Sequence, residues 1–250
     1  MFKEIDYNKH YVIGTPLVGW KCDREEDTAW ISQSVEILKQ FPNTVFFAAL
    51  ELDHRGLEPF QRVIDAIHQV HGTYWTYTIN DMEHQVNSMN RWIRIETGRN
   101  LIREFAQRKR AMSGNHWGEP TPQTFVNYDA VLYVDSDVIL TPDIVKALFE
   151  VDHPIVGVHV PAYGLHGPVV NGDSRLQEHW TTAGLLLVNA PAYYDIPWSH
   201  DAYRNLSDDP TFQNHSLRLG HGMTWVRKDI TAQHMGMLAK VENRGIPDRF

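Results

Sequence analysis

Along this chain, apolar strand-like runs alternate with segments whose apolar residues recur every three and four positions. That alternation restricts the fold to a largely parallel sheet covered by helices. Residues 11–17 (YVIGTPL) form a mostly apolar run broken by Gly14 and Pro16, and residues 27–39 place Trp30, Ile31, Val35 and Leu38 at helical spacing. The cycle repeats: 44–52 (TVFFAALEL) is β-rich, 57–70 sets Phe60, Val63, Ile64 and Ile67 on one helical face, and 73–78 (TYWTYT) reads again as a strand. A long amphipathic helix is expected over 89–110, with Trp92, Ile95, Ile102 and Phe105 inward and Arg91, Arg94, Arg99, Arg103 and Arg108 around the rest. After a Gly/Pro-rich break (SGNHWGEPTPQ) come a strand at 130–134, a short helix at 143–150 and a buried strand at 155–160. Pro161, Gly164, Gly167, Pro168 and Gly172 make 161–180 a long loop, of the kind that serves as a lid or binding loop in a compact domain. A buried strand at 181–189, a helix at 208–219 and a strand near 223–227 complete the pattern.

Composition bears on the class of function. The 250 residues carry no repeat or long linker, and with 42% hydrophobic residues they can bury one substantial core, so a single domain is expected. A formal charge of −8 argues against a general nucleic-acid surface built on counterion release. Cys22 is the single cysteine and the opening MFKEIDYNKH lacks the apolar run of a signal peptide, so a reducing, cytoplasmic setting is expected. No window approaches the length of apolar sequence that spans a membrane.

Sheets of this type deliver their chemistry at the C-terminal ends of strands. The strongest local signal lies at such an end, where the apolar run VLYV is followed by Asp135, Ser136 and Asp137. Carboxylates at i and i+2 of an extended segment project to one side, and a Mg²⁺ or Mn²⁺ ion held by one or two carboxylates completes its shell with substrate phosphates. The ordinary alternative is a solvated turn; the buried run before the pair, with Thr141-Pro142 and a helix after it, favours the metal. A second acidic pair, Asp208-Asp209, opens the helix that contains Pro210 and Phe212. Capping by Ser207 or Asp208 accounts for much of it, while a carboxylate so placed also suits a general base acting on a hydroxyl. His234, after a late strand, is by itself more often structural than a ligand. Arg99 and Arg103 share a helical face that suits bidentate phosphate binding, with a solvated helix surface as the ordinary alternative; Arg94 points elsewhere.

In this order, YVIGTPLVG, RNLIREFA, VLYVDSDVILTPDIV, TTAGLLLVN, SDDPTFQNHSLRLG and ITAQHMG together resemble a nucleotide-sugar glycosyltransferase of the GT-A fold, including compact enzymes of the kind encoded by bacteriophages. The resemblance covers residues 10–236. It implies an α/β, Rossmann-like, mixed and mainly parallel sheet with helices on both faces. One domain would fill 1–250, with a nucleotide-donor half (1–137) and an acceptor half (138–250). It also implies a metal-dependent, hexosyltransferase-like enzyme that uses Mn²⁺ or Mg²⁺. The donor would be a nucleoside-diphosphate sugar, UDP-linked as first choice and GDP-linked as second, and the acceptor a hydroxyl of a glycan, protein, metabolite or modified DNA base.

Carried over residue by residue, Asp135 and Asp137 would be the D-x-D pair, with His234 in its H-x-G setting completing the coordination. Asp208-Asp209 with Phe212 match the family's acidic pair, although its first residue is usually Glu. Asp209 would deprotonate the acceptor in an inverting enzyme and only bind acceptor in a retaining one. Thr15, Pro16 and Leu17 would lie against the nucleotide, Arg99 and Asn100 match the R-N element, and Gly184 would admit sugar or acceptor close to the backbone. Two other functions fit parts of the pattern. A Mg²⁺-dependent nucleotidyltransferase also uses paired aspartates at a strand end but leaves His234 without a role, and a non-catalytic carbohydrate-binding protein would use the Trp and Tyr residues as stacking platforms.

Overall fold

A computed structural model of the chain describes residues 2–18, 25–79, 88–107, 128–160, 176–179, 184–199 and 208–235. Its strands are β1 (Tyr11–Val18), β2 (Thr44–Glu51), β3 (Thr73–Tyr77), β4 (Ala130–Val134), β5 (Val138–Ile139), β6 (Ile155–His159), β7 (Leu176–His179), β8 (Leu185–Asn189), β9 (Thr224–Thr231) and β10 (Gln233–His234). Eight of them form one sheet in the order β3-β2-β1-β4-β8-β6-β9-β7, and β5 pairs separately with β10. The pairs β1–β2, β2–β3, β1–β4 and β6–β9 are parallel, while β8 runs antiparallel to both β4 and β6 and β7 antiparallel to β9. The sheet is therefore mixed and mainly parallel, as expected.

Side-chain alternation along the strands feeds two cores. On one face Ile13, Leu17, Leu132 and Val134 pack with α1 (Ser34–Gln40), α2 (Gln61–Gln69) and α4 (Pro142–Phe149) through residues such as Ile37, Ile64 and Leu148. On the other, Val12, Val131 and Tyr133 pack with α3 (Ser88–Gln107), α5 (Ala192–Asp195) and α6 (Asp208–Arg218) through Ile102, Phe105, Tyr193 and Phe212. Helices thus cover both faces. The Thr141 hydroxyl accepts from the Ile144 N–H at 3.2 Å and Pro142 fills the first position of α4, which explains why this short helix starts where it does. None of the described helices is long and apolar enough to cross a membrane.

Three segments differ from expectation. The single helix expected over 27–39 is a 3-10 helix, Glu25–Ile31, followed by a reset and then α1. The reset rotates the apolar positions, so Val35 is 55% exposed and Ile37 takes the buried place. Within the loop expected at 161–180, Leu176–His179 forms β7 at the sheet edge. Its sequence, LQEH, carries no strand pattern, because an edge strand is recruited by backbone pairing with β9 more than by burial. Residues 161–175 and 180 of that loop lie outside the described residues. The late strand at 223–227 runs further, as β9 to Thr231.

The topology fixes where a ligand crevice falls. β1 has β2 on one side and β4 on the other, so the strand order reverses across β1. Ligands of open α/β sheets bind at such a switch point, outside the carboxyl ends of the strands. Here those ends carry Thr15–Leu17 of β1 and Asp135 after β4.

Burial of phenols gives the fold a defined alkaline limit. Burial pushes Tyr133 up to about 12, and burial, helped by the charge of Asp129, also raises Tyr11. Burial, with neighbouring Tyr194, raises Tyr193 as well. A phenol raised only in the folded state contributes stability that is complete below its ordinary value near 10 and is lost as pH rises through the folded value. Stability to urea should therefore decline from about pH 10 towards 12, with the last tyrosinate absorbance appearing together with loss of structure. Full ionisation of all tyrosines at pH 10 in a still-folded protein would contradict this burial.

Candidate functional site

β4 delivers Asp135 to the switch point, and the chain then turns. The Val138 N–H donates to the Asp135 carbonyl at 3.1 Å, closing a turn across the D-x-D segment. The extended geometry expected of Asp135 and Asp137, with both carboxylates on one side, is therefore not what forms. The turn is anchored on all sides. The Asp135 N–H donates to the Gly184 carbonyl at 2.9 Å, the Ser136 hydroxyl donates to Asp27 at 3.0 Å, and the Trp30 N–H reaches the Ser136 carbonyl at 3.4 Å. Gly184 contributes its carbonyl to this arrangement, at the start of the path into β8.

Each carboxylate has its own partner. Asp137 Oδ1 lies 3.2 Å from His234 Nε2. The two residues are nearly a hundred positions apart in sequence and are joined by the β5–β10 ribbon, in which His234 pairs with Val138 and the Met235 N–H donates to the Asp137 carbonyl at 2.7 Å. Asp135 Oδ1 instead lies 3.4 Å from the Arg99 guanidinium. Among the described residues no three of His, Cys, Asp and Glu gather as a ligand cluster. Of the expected set Asp135, Asp137 and His234, the structure brings together Asp137 and His234 and directs Asp135 to an arginine. An oxygen and a nitrogen donor side by side, both partly exposed, fit a first-row divalent ion such as Mn²⁺ that finishes its shell with other oxygen ligands.

Arg99 reaches Asp135 because α3 comes down hard on β1. A Cβ at Gly98 would stand 2.6 Å from Pro16 Cβ, and one at Gly14 would stand 2.5 Å from Ile102 Cγ2. Only glycine permits this approach at both points. Arg99 is 4% exposed, with its guanidinium 4.5 Å from the centre of the Trp198 ring. Asn100, next in sequence, spends its amide on the same residue: it donates to the Trp198 carbonyl at 2.7 Å and accepts from the Trp198 N–H at 3.0 Å. Arg103 donates to the Asn100 side-chain oxygen at 3.0 Å. Among the described residues Arg99 thus pairs with Asp135 and Trp198, and Arg103 with the Asn100 side chain. Arg94 is not on a solvated surface either, since it pairs with Glu51 at 2.8 Å with both side chains largely buried.

At the end of β1 the expected contact residues divide by alternation. Thr15 and Leu17 are buried, facing the core shared with α1, α2 and α4, and Pro16 lies on the α3 side against Gly98. Helix α6 begins at Asp208, as expected, with Asp209 second and Pro210 third, and Phe212 buried against Trp198. The side chains of Asp208 and Asp209 lie outside what the structure describes.

Sequence reasoning missed Trp198, Asp27 and the Glu51–Arg94 pair. Glu51 carried a usable signal, because an apolar strand that ends in an acid is the pattern that drew attention to Asp135. Trp198 and Asp27 carried none, since their roles arise from contacts across 98 and 109 positions of sequence.

Neither a family model nor a curated protein sequence matches the chain. Among solved structures, the mannosyltransferase PcManGT from Pyrobaculum calidifontis, in complex with GDP-Man and Mn²⁺, superposes with a TM-score of 0.50 at 8% identity, over 93% of this chain and 59% of its own. TarS from S. aureus gives 0.49 at 12% identity, over 91% of this chain and 36% of its own. The nucleoside-diphosphate-sugar pyrophosphorylase from Vibrio cholerae RC9 gives 0.49 at 11%, over 92% and 98%. The chain spans about a third of TarS and about six-tenths of the mannosyltransferase. At such identities the likeness is one of fold, and with the mixed sheet and its switch point it defines a GT-A, Rossmann-like architecture.

The approach of α3 to β1 can be tested directly. Alanine is the better helix former by about 1 kcal/mol, but overpacking against the rigid Pro16 ring costs ~1–3 kcal/mol. Gly98→Ala should therefore lower the unfolding free energy by up to about 2 kcal/mol in urea titrations. A more stable Gly98→Ala protein would show that the helix does not press on β1.

Proposed function

We propose that this chain is a metal-dependent glycosyltransferase that moves a sugar from a nucleoside-diphosphate donor to a hydroxyl acceptor. The observation that carries the reading is the Asp137–His234 pair, held by its own β-ribbon beside the switch point of a GT-A sheet. Asp137 and His234 would hold Mn²⁺ or Mg²⁺, which when bound supplies charge neutralisation for the diphosphate leaving group. Asp135 contributes negative charge at the mouth of β4 and is oriented by Arg99. Pro16 and the end of β1 form the floor for the nucleotide. Asp209, in the first turn of α6, accepts the proton from the acceptor hydroxyl as that oxygen attacks the anomeric carbon, and Asp208 beside it orients the acceptor. With Asp209 as base, attack is in line and configuration inverts.

The donor is proposed as UDP-linked, with a GDP-linked sugar second; the mannosyltransferase of similar fold, described with GDP-Man and Mn²⁺, keeps the latter in view. The acceptor is a hydroxyl of a glycan, protein, metabolite or modified base.

The test is hydrolysis of a panel of UDP-, GDP- and dTDP-sugars with Mn²⁺, with Mg²⁺ and with EDTA. Release of one nucleoside diphosphate should require metal and fall by on the order of 100-fold or more in Asp137→Ala, with a parallel loss in His234→Ala. Asp209→Asn should retain donor binding and lose roughly 10²–10⁴-fold in transfer once an acceptor is supplied. If no donor is bound or turned over under any metal condition, the transferase reading fails and a carbohydrate-binding role becomes the better account.

A further inference from the structure

Trp198 lies after α5, away from every sequence motif, yet it joins the two parts of the site that a transfer reaction must keep in register. The residue is 1% exposed. Its ring takes the Arg99 guanidinium at 4.5 Å, the Phe212 ring stacked at 4.2 Å and 19°, and the Tyr133 ring edge-on at 5.0 Å and 72°. Arg99 is the partner of Asp135 just after β4, Tyr133 lies in β4 two residues before Asp135, and Phe212 belongs to the helix that starts with Asp208 and Asp209. The backbone of Trp198 is fixed at both its N–H and its carbonyl by the single Asn100 amide.

This is more than apolar packing. A guanidinium so buried is tolerated only where charge and π-face compensate it, and here the compensation comes from Asp135 on one hand and the indole on the other. An aliphatic residue of similar volume would fill the space without holding the cation.

We propose that Trp198 is a positioning residue for sugar transfer, setting the separation between the Arg99–Asp135 pair and the helix that begins at Asp208. The proposal rests on the transferase reading above. Donor affinity depends chiefly on Asp137 and His234, which Trp198 does not touch, so its loss acts on alignment and hence on turnover. Misplacing a reacting group by about an ångström costs on the order of 100-fold in rate.

The experiment compares Trp198→Leu, Trp198→Phe and, as a control from the same core, Phe105→Leu. The Mn²⁺-dependent donor dissociation constant, kcat for transfer and thermal midpoint are measured for each. Trp198→Leu should bind donor within about threefold of wild type while kcat falls on the order of 100-fold. Trp198→Phe, which keeps an aromatic face for Arg99 and Phe212, should recover most of the rate, and Phe105→Leu should lose stability without a matching loss of kcat. Should Trp198→Leu fail to fold, Trp198→Phe and Trp198→Met decide the point: only the aromatic variant should keep the rate. An unchanged kcat in folded Trp198→Leu, or an equal loss of kcat in Phe105→Leu at matched stability, overturns the proposal alone. A wild-type protein that turns over no donor overturns the transferase reading with it.

Discussion

The contact between α3 and β1 governs the rest of the site. Two glycines, Gly14 in the strand and Gly98 in the helix, remove the side chains that would hold these elements at ordinary spacing. The residue after Gly98 is Arg99, so the same approach that seats the helix carries a guanidinium into the interior beside the end of β4. A buried charge has to be answered, and the fold answers it with Asp135 and the face of Trp198. Asn100 then ties Trp198 to α3, and Phe212 ties Trp198 to α6. One close approach thereby couples three elements distant in sequence.

That coupling also explains how the two aspartates of the D-x-D segment come to differ. A turn closed by the Val138 N–H separates them. Asp135 is committed inward to Arg99, and Asp137 stands toward His234 at the end of a two-stranded ribbon. One carboxylate is tied to the buried guanidinium of α3, and the other is paired with an imidazole in a partly exposed position. The ordinary expectation of a turn after the strand is met across the segment, and the role of Asp137 as a metal ligand belongs to the proposed function.

The fold was largely legible from the chain. Apolar runs at 11–17, 44–52 and 130–134 and the periodic segment at 57–70 matched their elements because each buries a face and so must show its period in the residues. The misplaced pieces were those whose structure depends on something other than burial. The 3-10 helix at Glu25–Ile31 shifted Val35 outward, and β7 is an edge strand made by pairing. Within the site, the acidic strand end and His234 could be picked out as residue types in a suggestive order. The division of Asp135 from Asp137, the inward turn of Thr15 and Leu17, and the commitment of Arg99 and Asn100 to Trp198 could not, because each is decided by contacts across tens of residues. Sequence spacing reports which side chains share an element; it does not report what the next layer presents to them.

On the proposed reading, Asp137 and His234 form an incomplete cation site that a nucleoside diphosphate completes. Electron paramagnetic resonance of Mn²⁺ tests it most directly, since bound ion loses the sharp signal of the free one. With protein alone most of the free signal should persist; adding UDP or GDP should remove it stoichiometrically, and His234→Ala should prevent that loss. Tight Mn²⁺ binding without nucleotide and indifferent to His234, or no binding with any nucleoside diphosphate, would contradict the account.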